Sequence, residues 1–111
     1  MTDDVLRRAI AHTFPPGKQQ RALAVARTYG DGADEPEAER VRFDLVALAR
    51  GDLLKLEEHL ADAQRDYRDV LLWAEYEVDP VIGERPRARL LSALGLEEGA
   101  PGVGRVRPKL A

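Results

Sequence analysis

Residues 52–77 read DLLKLEEHLADAQRDYRDVLLWAEYE. Apolar or small side chains recur at Leu53, Leu56, Leu60, Ala63, Tyr67, Val70 and Ala74, in alternating steps of three and four. This is a heptad rhythm and predicts a helix with one apolar seam. Drawn as a single helix, it would run about 39 Å. A domain of this size has a radius of gyration of only about 13 Å. Such a helix outgrows the cover its own chain can provide. No glycine or proline interrupts the stretch, so the reading favours a continuous helix. The alternative is a break at Arg65-Asp66, with Asp66 as a new N-cap and Asp69 in the following first turn.

The flanking segments read as shorter helices. Thr2 is an N-cap candidate, with Asp3 and Asp4 in the first turn and Val5, Leu6, Ala9 and Ile10 on one face. Pro15 and Pro16 end this helix near Thr13. A second helix starts at Pro16 or Gly17, carries Ala22, Leu23, Val25, Ala26 and Tyr29, and stops at Gly30. Asp34 with Glu37 resembles a capping box, and Pro36 suits a first turn. The third helix is then expected over residues 35–50, with Val41, Leu45, Leu48 and Ala49 inward and Phe43 and Val46 at the flanks. Gly51 closes it, and Asp52 caps the next at once, which implies a sharp turn between the two. A turn at 77–83 contains Pro80 and Gly83. A last helix spans Pro86 to Leu94, with Leu90, Leu91 and Leu94 apolar, and ends at Gly95. The expectation is an all-α bundle of four or five helices around a central long helix. It forms one domain over residues 1–96, followed by a flexible, basic, Gly- and Pro-rich tail at 97–111.

The totals restrict function. The 111 residues fit one domain. With 44% apolar and 33% charged residues, the chain is suited to folding rather than disorder. There is no cysteine, so disulfides and thiolate metal sites are excluded. The N-terminal segment lacks the apolar core of a secretory signal, and no apolar run approaches the ~20 residues of a membrane span. A cytoplasmic protein is expected. Arginine outnumbers lysine by 14 to 3 and asparagine is absent, as in a GC-rich bacterium. The net charge of −3 is unevenly spread. Residues 31–79 carry fifteen acidic and six basic groups, whereas both ends are net positive. That pattern favours docking of the ends on the middle, within or between chains, and makes nucleic acid an improbable partner.

Catalytic chemistry is poorly supplied. Ser92 is the only serine and lacks the glycine elbow of a nucleophile. No catalytic residue and no cofactor is expected. The sharpest polar constellation is His59, Asp62 and Asp66, at i, i+3 and i+7 on one helical face, which could serve a divalent metal. A helical metal site ordinarily draws ligands from two or more helices, so a solvated acidic face with local pairs such as Asp62–Arg65 is the plainer reading. Gly17-Lys18 and Gly102-Val103-Gly104 lack the rest of any phosphate-binding motif. Arg105, Arg107 and Lys109, with Arg85, Arg87 and Arg89, have no interleaved aromatics for base stacking.

Tyr67, Trp73 and Tyr76 are three of six aromatic residues and fall within ten positions. Tyrosine and tryptophan are favoured interface anchors, and the alternative is that all three pack against helices one, two or five of the same chain. Residues 51–56 and 66–76 resemble an element of small uncharacterised bacterial helical proteins. The resemblance implies a bacterial, cytoplasmic source and carries no activity or cofactor. The function expected is a protein-interaction or self-association module, with a homo-oligomer or another protein as partner. Its contacts are expected from Leu53, Leu56, Leu60, Tyr67, Val70, Leu71, Trp73 and Tyr76. The rival is a metal-binding protein or enzyme using His59, Asp62 and Asp66.

Overall fold

The computed structural model describes residues 3–30, 37–76 and 85–96. Among them are six α-helices and no strand: α1 (Asp3–Thr13), α2 (Gln19–Thr28), α3 (Ala38–Ala49), α4 (Leu53–Arg65), α5 (Tyr67–Tyr76) and α6 (Pro86–Ala93). A single 3-10 turn, Pro16–Lys18, leads into α2. The all-helical expectation holds, with one helix more than the upper figure of five. The N-cap candidates Thr2 and Asp34, the turn at 77–83 and the tail at 97–111 lie outside the described residues.

The centre of the molecule is α3, which packs against each of the other five helices. Its sequence explains why. Residues 43–49 are apolar except for Asp44, so every side of the helix can accept a neighbour. Val41, Phe43, Leu45, Val46 and Ala49 are all fully enclosed. Phe43 and Val46, expected at the flanks, are core residues because helices lie on both sides of α3.

The long central helix does not form, and this corrects the reading of residues 52–77. The chain leaves the helix at Asp66, whose backbone is extended at φ −157°, ψ 101°. The Asp66 carboxylate then accepts a hydrogen bond from the Arg68 amide at 3.1 Å, and its carbonyl accepts from the Asp69 amide at 3.2 Å. An aspartate therefore starts α5 without help from glycine or proline. The two halves fold back on each other. The rings of His59 and Trp73 lie 6.1 Å apart between centroids. In one straight helix, residues fourteen positions apart would be separated by about 21 Å. Both halves turn their inner residues, Leu56 and Ala63 on α4 and Val70 and Ala74 on α5, into the interior.

Arginine and glutamine side chains close several helix ends. Arg42 of α3 donates from Nε to the Tyr29 carbonyl at 2.6 Å and from Nη2 to the Arg27 carbonyl at 3.1 Å, satisfying the end of α2. Gln19 donates to the Phe14 carbonyl at 2.9 Å, and Arg8 to the Leu94 carbonyl at 2.8 Å. The α3–α4 corner is as expected: the Asp52 side chain accepts from the amides of Leu54 and Lys55, at 2.9 and 3.3 Å. Gly51 has φ +83°, and a Cβ there would collide with the Thr13 carbonyl oxygen.

Candidate functional site

The expected contact residues divide sharply. Leu56 and Val70 are fully enclosed within this chain and offer nothing to a partner, which corrects their assignment to an interface. Leu53, Leu60, Tyr67, Leu71 and Trp73 are half-buried, each resting on the core with part of its surface open. Tyr76 is 53% exposed. Leu72, which was not among the expected contact residues, is 52% exposed, and Leu54 at the start of α4 is 65% exposed.

On α5 this division follows from helical geometry. At 100° per residue, Val70 and Ala74 share the inner side. Leu72 and Tyr76, four positions apart, share the opposite side, with Trp73 and Asp69 next to them. Arg68 borders Leu72. The outward face is therefore an apolar ridge with one cation and one carboxylate at its margins. Trp73 packs beside the His59 ring of α4, the two planes tilted by 59°.

The His59, Asp62 and Asp66 constellation is not assembled. Asp62 is held by Arg65 at 2.7 Å, and Asp66 by Arg68 at 3.0 and 3.1 Å. The Arg68 guanidinium, followed by its backbone amide, holds the Asp66 carboxyl below the usual carboxylate range. Asp66 sits outside the helix that carries the other two, so the i+7 spacing no longer places it on their face. His59 Nδ1 is enclosed without a hydrogen-bond partner, its nearest carboxylate oxygen being Asp62 Oδ2 at 3.6 Å. Among the described residues no group of three histidine or acidic side chains could hold a metal ion.

The strongest polar arrangement is one that spacing did not reveal. Arg87 of α6 is only 5% exposed and meets Asp44 of α3, which is wholly buried. Nε and Nη2 donate to the two carboxylate oxygens at 2.9 and 2.7 Å, a two-pronged pair. Nη2 also donates to the Leu71 carbonyl at 3.3 Å, and Nη1 lies 3.6 Å from Glu75. This pair ties α6 to α3 and α5. It is an internal form of the basic-end-on-acidic-middle docking that the charge distribution suggested. The signal was present: Asp44 is the only charge in an otherwise apolar run. Ser92 is exposed on α6, with no histidine hydrogen-bonded to it.

No helix among the described residues is long and apolar enough to cross a membrane. No family model matches the chain, and no curated protein or solved structure shows significant similarity to it.

Proposed function

We propose that this chain is a protein-interaction module that pairs with a second copy of itself through the outward face of α5. One observation carries the reading. Leu72 and Tyr76 stand one helical turn apart, each more than half exposed, directly opposite residues that are fully enclosed. Covering them removes their remaining apolar area from water, at about 25 cal/mol per Å². Trp73 and Tyr76 are the residue types that anchor interfaces, since they bury much area for little lost freedom.

The margins of the ridge support a second copy as occupant. Arg68 and Asp69 carry opposite signs on one face, so a two-fold axis through the ridge sets the cation of each copy against the carboxylate of the other. Such rim pairs fix register more than they add affinity. The arginine-rich, asparagine-free composition supports a bacterial, cytoplasmic setting for the pair.

Sedimentation equilibrium tests the reading. The mass should rise with micromolar concentration from one chain toward two. The double variant Leu72→Asp, Tyr76→Asp should stay at one chain with unchanged helical circular dichroism. A parent protein that keeps the mass of one chain throughout overturns the proposal. So does a double variant that associates like the parent.

A further inference from the structure

A groove of about 200 Å³ lies where the C-terminal ends of α1 and α3 meet α6, away from the α5 ridge. His12, Thr13, Ala47, Arg50, Arg89, Leu90 and Ala93 line it. Three of these seven can carry positive charge and none is acidic. That reverses the balance of a chain in which acidic groups outnumber lysine and arginine by 20 to 17.

Arg89 makes the groove more than a patch of charge. Its Nε is buried and has no hydrogen-bond partner. Arg87, two positions earlier on α6 and therefore on the other side of that helix, is engaged by Asp44, whereas Arg89 Nε is not. An enclosed N–H donor without an acceptor is costly and rare in folded proteins. Beside Arg89 part of the wall is apolar, from Ala47, Leu90 and Ala93, and the rest is polar, from His12, Thr13 and Arg50. A planar guanidinium offers two parallel donors to two oxygens of one acid group.

We propose that this groove binds the oxyanion group of a small molecule, a carboxylate or phosphate attached to a short apolar body. Arg89 offers its Nη groups, since its Nε has no accessible surface, and Arg50 and His12 add to the basic lining. The apolar part of the wall receives the body, and a groove of about 200 Å³ suits a small one. The site is independent of the α5 ridge, so pairing and ligand binding can fail separately.

The test is titration of the full chain with inorganic phosphate and, separately, with butyrate, followed by amide NMR shifts at constant ionic strength made up with chloride. Saturable shifts centred on residues 12, 13, 47, 50 and 89–93 are expected for at least one probe. A phosphate response without a butyrate response assigns the site to phosphate, and the converse to carboxylates. Arg89→Gln should weaken binding by about tenfold or more. Arg21→Gln removes an equal charge on α2 and should bind as the parent does. Thermal melts of both variants check that the fold persists. Linear, unsaturable shifts with both probes overturn the proposal. So does an Arg89→Gln protein that melts normally and binds with parental affinity, or an Arg21→Gln protein weakened as much as Arg89→Gln.

Discussion

Helices α3 and α5 are both rich in large apolar residues, yet the molecule treats them oppositely. On α3, Val41, Phe43, Asp44, Leu45, Val46, Ala47 and Ala49 are enclosed, and only Arg42 and Leu48 between them are partly open. On α5, Val70 and Ala74 are enclosed while Leu72 and Tyr76 remain open. The difference is one of position. All five other helices pack on α3, whereas α5 packs on α3, α4 and α6 and leaves Leu72 and Tyr76 uncovered. An apolar residue on α3 is thus committed to folding, and one on the outer side of α5 is available for something else.

The sharpest way to break this comparison is to attack the pair that anchors α3 to its surroundings. Arg87→Ala leaves the Asp44 carboxylate buried without its partner and should cost about 3–5 kcal/mol in urea unfolding. Arg68→Ala, which removes only an exposed pair with Asp66, should move the unfolding midpoint far less. Equal effects would mean that α3 is no more committed than α5.

Next come the leucines themselves. Leu45→Ala on α3 should destabilise by about 2–5 kcal/mol through lost burial and the cavity left behind. Leu72→Ala should stay within about 0.5 kcal/mol, measured at concentrations where only single chains are present. A large loss at Leu72 would show that it is part of the core after all.

The third prediction concerns the corner that delivers the chain from α3 to α4. Gly51→Ala places a Cβ at positive φ and against the Thr13 carbonyl, so it should cost more than about 1 kcal/mol. A neutral substitution would mean the corner yields and α1 does not hold it.

The smallest effect is at the surface. Hydrogen bonds from Arg27 and then Arg7 hold the Asp3 carboxyl below the usual carboxylate range. A lowered value in the folded chain stabilises above the ordinary aspartate range, and the gain is lost as pH falls through the lowered value. Exposure and screening limit it to less than about 1 kcal/mol. The stability gap between the parent and Asp3→Asn should therefore shrink in acid and in high salt. A gap that grows under either condition contradicts the assignment.

Much of this architecture was legible in the sequence because short helices announce their ends. Val5, Leu6, Ala9 and Ile10 on α1 are buried as their spacing implied. Gly51 and Asp52 form the corner their residue types suggested. The break at Asp66 was harder to see. The heptad crosses it undisturbed, because two separate helices that each turn a face to α3 can preserve the same rhythm. Only the aspartate's ability to replace a missing helical acceptor betrays it, and aspartates are equally common on solvated helix faces. The consequence reached the site. With a bend at Asp66, the His59, Asp62 and Asp66 face dissolves, and Leu56 and Val70 move from seam to core. The Asp44–Arg87 pair joins residues 43 positions apart, a separation that local spacing does not report.

The most direct test of the outward role of α5 uses the chain's lack of cysteine. A nitroxide attached at Leu72→Cys reports the environment of that single position. If two copies meet along this ridge, the labelled protein shows dipolar broadening that disappears when it is diluted with unlabelled protein, while a label at Arg21→Cys on α2 shows none. Narrow, concentration-independent lines at Leu72→Cys in a protein that still forms pairs would place the contact elsewhere and contradict the account.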